Sequence, residues 1–334
     1  MPETARIVRF HAFGDADVLQ LETASLAAPG KGEVRLQVRA MGVNRADVLF
    51  RQGKYVWTPQ LPARIGVEAA GIVDAVGPGG DAAWIGKRVL CIPAFSPNEY
   101  GVYGDAALVP ETCIAEFPAS LSFEQAASCL VQYLTAWGAL IHFGKVRKGD
   151  FVLLTAASSS TGMAAIQMVK AAGGISIAVT RSPAKKQALL DAGADHVVVT
   201  EAGDLAGEVM AITGGAGARI IYDPVAGDTL EALVACAAKG ATLFAYGILS
   251  DQPTVLPMLD AFRKYLTIKV YDVHEVIEDR TLLEQGLDYL FTAFESGALV
   301  PVISRTFPLE EIVAAHRYME AGHQVGKVVV TAGK

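Results

Sequence analysis

The sequence predicts an α/β chain with a doubly wound parallel sheet in its middle and β-rich segments at both ends. Three observations carry that expectation. A short apolar run, Phe151-Val152-Leu153-Leu154, breaks into small residues and then resumes with helical spacing. From there to about residue 247, strand patterns alternate with helical ones, as a parallel sheet covered on both faces requires. Before residue 125, strand patterns such as 33–40 and 71–77 are separated by Gly and Pro with little helical periodicity.

The small residues after the first run are Thr155-Ala156-Ala157-Ser158-Ser159-Ser160-Thr161-Gly162. A strand, a compact loop and a helix in that order suit a dinucleotide pyrophosphate, because free N–H groups and the helix dipole favour an anion there. Of the usual G-x-G-x-x-G fingerprint only Gly162 is present, although Ser158, Ser159, Ser160 and Thr161 add hydroxyl donors. The competing reading is a serine-rich helix N-cap. The following helix carries Ala164, Ala165, Ile166, Met168, Val169 and Ala172 on its apolar side and stops at Gly173-Gly174.

A second strand, 175–180, ends in Thr180-Arg181-Ser182, where an NAD site would place Asp or Glu on the ribose. An acid there would repel a 2′-phosphate, whereas Arg181 pairs with one and Ser182 adds a hydroxyl, so the expected cofactor is NADPH. Lys185 and Lys186 strengthen the positive field; the alternative is that they are solvated surface cations. Further strands are expected at 195–199, 218–225 and 241–246, with a helix over about 228–238 and a stop at Gly247. In the last part a helix over 282–294 precedes an apolar strand, 326–330, expected to complete the first domain's sheet.

The length of 334 residues suits about two domains, and 52% apolar residues provide material for their cores. A formal charge of −7 argues against nonspecific nucleic-acid or anionic-membrane binding. No apolar run reaches the length of a spanning helix and Met1-Pro2-Glu3-Thr4 lacks a secretory pattern, so a cytoplasmic location is expected. Cys91, Cys113, Cys129 and Cys236 form no CxxC pair, which fits reduced, buried thiols.

Several motifs, in order and spacing, make a specific pattern: Gly42-Val43-Asn44-Arg45-Ala46-Asp47, Gly66-Val67-Glu68-Ala69-Ala70-Gly71, Gly86-Lys87-Arg88-Val89, Gly101-Val102-Tyr103-Gly104-Asp105, Tyr133-Leu134-Thr135-Ala136-Trp137 and Gly326-Lys327-Val328-Val329-Val330. The chain resembles, nearly end to end, the medium-chain dehydrogenase/reductase superfamily in its zinc-independent quinone oxidoreductase and enoyl reductase branch. The resemblance implies a GroES-like barrel catalytic domain from residues 1–125 and 268–334, a Rossmann NADPH-binding domain over 126–267, and a cofactor cleft at their junction. It also implies a homodimer in which the edge strand 266–271 pairs with its copy.

Where the alcohol dehydrogenase branch carries zinc ligands, this chain has Asn44, Val67 and Val131, and the six histidines show no H-x-x-x-H spacing. No metal is expected, and Glu68 reads as a hydrogen-bonded buried acid. Lacking a Lewis acid for a carbonyl, the site suits hydride delivery to a quinone or an activated C=C bond better than alcohol–ketone interconversion.

Tyr55 ends a segment that looks like the enoyl reductases' N-x-x-D followed by Q-G-x-Y, and a phenol can donate to a developing oxyanion. The alternative is that Tyr55 only lines the cleft. Asn44 is the candidate to orient substrate or nicotinamide ribose, and Asp47 to fix the local turn. Thr135, Tyr246, Gly247 and Lys327 transfer by position as residues near the cofactor, while Trp57 and Phe95 are candidate apolar walls.

The expected function is therefore reduction of a quinone or an α,β-unsaturated carbonyl by NADPH. Three alternatives stay open: a 2-enoyl thioester reductase, a zinc-independent alcohol dehydrogenase-like protein, and an NADPH-binding protein without turnover, crystallin-like or regulatory.

Overall fold

The structure, a computed structural model, describes residues 4–201 and 203–333, and these divide into two compact units: residues up to 131 together with 301 onward, and residues 132–300. The segment 268–300, assigned by sequence to the domain built from the chain ends, thus falls in the second unit. The physical reason is strand pairing, since Thr267–Val270 adds to the parallel sheet beside Ala237–Ala245.

The second unit contains six parallel strands in the order His196–Val199, Ile175–Thr180, Phe151–Leu154, Ala218–Asp223, Ala237–Ala245 and Thr267–Val270. The order reverses between Phe151–Leu154 and Ala218–Asp223, which is where ligands settle on doubly wound sheets. Near-continuous apolar strands place Leu153, Ile177, Ile221 and Leu243 wholly inside. The helix Ser160–Ala171 follows the first strand, and Gly162 lets it pack there: a Cβ at that position would stand 2.4 Å from the Ala157 carbonyl oxygen. The strand at 237–245 begins four residues earlier than the pattern suggested, because the preceding helix, Leu230–Cys236, is short.

The first unit is mostly antiparallel. Seven strands form a mixed sheet around the long strand Glu33–Val43, which pairs with Ala69–Val76, Ala106–Pro110 and Lys327–Thr331. The last of these comes from the far end of the chain, as expected, and Ile303–Pro308 joins it in parallel. A three-stranded sheet is built on Thr4–Phe10. The core between holds Phe10, Leu36, Met41, Phe50, Ile65 and Tyr103 at 2% exposure or less. One short helix, Arg45–Arg51, interrupts the strands and leads to Tyr55.

Candidate active site

In the second unit, the strand Phe151–Leu154 runs into Thr155, whose hydroxyl donates to Asp223 on the neighbouring strand. Asp223 is wholly buried and its carboxylate also accepts from the N–H groups of Val225 (3.2 Å) and Ala226 (2.8 Å). That bond spans the two strands between which the strand order reverses, and it ties the loops leaving both.

Ser159 caps the helix, its Oγ accepting from Gly162 N–H at 3.1 Å. Ser158, Ser160 and Thr161 are half-buried around it. A serine-rich N-cap and a phosphate loop are therefore compatible here, because one serine caps while its neighbours stay at the surface. Tyr246, just past Ala237–Ala245, stacks on Tyr222 with centroids 3.9 Å apart. Burial, and then the Asp223 charge, push its phenol well above the usual tyrosine range. Gly247 passes close to Pro224: a Cβ there would stand 2.9 Å from the Pro224 carbonyl oxygen. Thr135 is buried on the helix Leu130–Ala136.

Past the second parallel strand, Thr180 is buried and its Oγ1 accepts from Ser182 N–H at 3.3 Å. Arg181 is exposed, Ser182 half-buried, and Lys185 donates to Ser158 Oγ at 3.1 Å. Burial lowers the Lys185 ammonium from its ordinary value, and the Arg181 charge lowers it further, so the two cations lie close together. The structure thus brings Ser158, Arg181 and Lys185 into one positive patch, residues 23 and 27 apart in sequence from the serine. Lys186 is exposed.

The first unit holds its polar residues differently. Lys327, Glu68 and Asn44 are 1%, 1% and 7% exposed. Lys327 Nζ donates to Glu68 Oε2 at 2.5 Å and to Asn44 Oδ1 at 2.7 Å. Asn44 Nδ2 donates to Glu68 Oε2 (3.2 Å) and to Gly42 O (3.3 Å), and Glu68 Oε1 accepts from Val131 N–H at 3.1 Å. Both amide hydrogens of Asn44 are therefore engaged inside the unit. Asp47 accepts from Asn44 N–H and from the Tyr103 hydroxyl, each at 2.8 Å. Burial pushes its carboxyl up to about 6, against the lowering effect of those two bonds.

Tyr55 is half-buried, with its ring edge-to-face on Trp57 at 5.7 Å. Gly53, at φ +69°, makes the preceding turn under the Phe13 ring. Phe95 is buried against Tyr100 and belongs to the core of the unit.

Sequence reasoning missed the Lys327–Glu68 pair, Thr155–Asp223 and Tyr103–Asp47. The available signals were a lysine opening an otherwise apolar strand and single polar residues at the ends of apolar runs.

The chain was compared with known proteins. A family described as zinc-binding dehydrogenase matches residues 192–330, and the alcohol dehydrogenase GroES-like domain matches residues 30–119. A quinone oxidoreductase of Pseudomonas aeruginosa is 30% identical over 98% of this chain and 99% of its own. A 2-haloacrylate reductase of Burkholderia sp. is 29% identical over 96% and 97%. The crystal structure of Escherichia coli quinone oxidoreductase complexed with NADPH superposes with a TM-score of 0.91 at 29% identity, covering 98% of this chain and 100% of that one. Zinc does not fit the residues present, since Val67 and Val131 offer no donor side chain, and the described residues contain no group of three or more His, Cys, Asp or Glu able to hold a metal.

Proposed function

The chain belongs to the zinc-independent quinone oxidoreductase and enoyl reductase branch of the medium-chain dehydrogenase/reductase superfamily, and from that premise we propose that it is an NADPH-dependent reductase of quinones or of C=C bonds conjugated to a carbonyl. One observation carries the cofactor choice: Lys185 bound to Ser158 beside Arg181, at a strand end with no acid. These three residues, with Thr180 and Ser182, would hold the 2′-phosphate. Ser159, Ser160, Thr161 and Gly162 would cradle the pyrophosphate on the helix N-terminus, while Thr135, Tyr246 and Gly247 would flank the nicotinamide end.

When bound, NADPH supplies a hydride. The chain's own task is then to orient the acceptor, exclude water and donate to the oxygen that gains charge. Tyr55 is the donor in this reading, since its phenol lies at a half-buried surface with apolar Trp57 beside it. The mixed sheet and the GroES-like match support a barrel-like catalytic domain, and the four free, buried cysteines support a cytosolic setting. The purified protein should consume NADPH, followed by absorbance, with a quinone, an enone or an enoyl thioester. Tight NADPH binding with no turnover across that panel would leave a binding protein instead.

The same reading includes a homodimer. Thr267–Val270 is an edge strand with Val270 81% exposed, and Met258, Leu259, Phe262 and Tyr265 nearby in sequence are each more than half exposed. Pairing two such edges across a two-fold axis would cover both the free backbone groups and the apolar side chains. Light scattering at micromolar concentration should give twice the 35.2 kDa chain mass, and a monomer overturns the dimer.

A further inference from the structure

The buried set Lys327, Glu68 and Asn44 admits one hydrogen-bond assignment. An ammonium only donates and a carboxylate only accepts, so Lys327 must face the carboxamide oxygen of Asn44 and Glu68 its nitrogen. Without such partners the two ends of an asparagine amide are nearly interchangeable. The packing is close: a Cβ at Gly42 would stand 2.6 Å from Glu68 Oε2 and 2.7 Å from Lys327 Cε.

The place of this set is informative. By the family resemblance, Asn44, Val67 and Val131 stand at the positions of the zinc ligands in the alcohol dehydrogenase branch. Here the side chain of Asn44 and the backbone N–H of Val131 both turn to Glu68, and the cation among them is the ammonium of Lys327. The backbone of Asn44 then begins the helix Arg45–Arg51, clamped by Asp47 and Tyr103. Arg51, wholly buried at the other end, donates to Gly14 O at 2.7 Å and to Glu320 at 2.5 Å. The turn carrying Tyr55 leaves from that end, with Lys54 N–H still bonded to Leu49 O at 2.8 Å.

We propose that Lys327 is a positioning residue: paired with Glu68, it fixes the orientation of the Asn44 carboxamide, and through it the helix and turn that present Tyr55, organising with a covalently attached cation the centre that relatives organise with a metal. The inference rests on the reductase reading. A charge with no task beyond folding would be an expensive choice, because a buried ion pair is often no more stabilising than apolar residues of the same volume.

The test is the neutral pair Lys327→Met/Glu68→Gln, which removes both charges together. It should melt within about 5 °C of the parent. Its kcat should fall at least about tenfold with KM for the acceptor little changed, the signature of lost positioning. Amide hydrogen exchange over residues 45–55 should quicken at least about tenfold while residues 312–320 are unaffected. Asn44→Ala, which keeps the ion pair, should show the same kcat deficit and add nothing to the double variant. A folded double variant with kcat within about twofold of the parent, or with unchanged exchange over 45–55, overturns the proposal. If the double variant does not fold, Asn44→Ala decides: kcat within about twofold overturns, a tenfold fall supports. If the parent reduces none of the acceptors, the reductase reading has failed, and exchange over 45–55 tests the positioning by itself.

Discussion

Lys327 with Glu68 in the first unit and Lys185 with Ser158 in the second are both lysine–oxygen pairs, yet they are made to opposite ends. The first is 2.5 Å long between residues 1% exposed, and each partner is also bonded to Asn44. The second is 3.1 Å long and half-buried, with the Arg181 cation nearby. A desolvated charge with its partners in place holds structure and yields nothing to a ligand. A half-solvated cation held near another cation gains by meeting an anion. The difference separates the residues that keep the frame from those proposed to bind.

That contrast can be broken or sharpened by substitution. The largest effect is expected at Tyr55, the side chain proposed to donate to the oxygen that gains charge. Tyr55→Phe should lower kcat for an enone or enoyl thioester by about 10² to 10⁴ with NADPH affinity little changed. A quinone should suffer less, since its reduced oxygens can take protons from water. Steady-state kinetics giving kcat within about twofold for every acceptor would make Tyr55 a wall.

Lys327→Met alone should cost about 3–5 kcal/mol, because it strands the buried Glu68 carboxylate. Thermal or urea denaturation of the single variant beside the neutral pair measures it. A cost under about 1 kcal/mol would place this lysine with the surface pairs.

A further frame residue supplies a pH signature. His316 is wholly buried, neither ring nitrogen has a hydrogen-bond partner, and its ring lies edge-to-face on Tyr103 at 6.1 Å. Burial, and then the Arg51 charge, lower it from 6.5 to about 3. Above pH 6.5 it is neutral folded and unfolded, so it adds no pH dependence. As pH falls from 6.5 toward 3 the unfolded chain takes up a proton that the folded one refuses, and stability is lost, by roughly 4 kcal/mol at the bottom of that window. In His316→Leu this part of the acid loss should vanish, as urea denaturation at stepped pH values would show. An unchanged acid limb would mean that the ring is protonated in the fold.

The smallest effect belongs to the proposed binding set. Arg181→Ala should shrink the preference for NADPH over NADH by about 1–2 kcal/mol, with melting temperature unchanged. Titration of both cofactors gives the comparison, and equal binding of the two to the parent would remove the basis for it.

Legibility in the sequence follows the same division. The parallel unit could be read almost strand by strand, because strands buried on both faces are continuous apolar runs and Gly173-Gly174 or Gly247 punctuate them. The edge position of Thr267–Val270 and the return of the last strand, Lys327–Thr331, to the first unit were legible too. The domain boundary at 268 was not, since which unit the stretch from there to 300 packs with is decided by long-range contacts that no local pattern contains. Among candidate residues, Ser158, Ser160 and Thr161 stay half-buried around the helix cap that Ser159 makes. For Asn44 and Lys327, residue type announced polar function, and only burial reveals that their polar atoms are turned on one another.

The pairing of Lys327–Thr331 with Glu33–Val43 has a consequence for how the protein is made. Lys327 and Asn44 are 283 residues apart in the chain. On the ribosome, the unit of residues 132–300 emerges whole and can complete its sheet at once. The strands before it cannot finish theirs until the last strand is released, and until then Glu68 has no cation to meet. The unit built on Glu33–Val43 thus closes after the one that follows it in the chain, and its early strands keep an open edge until Lys327–Thr331 arrives.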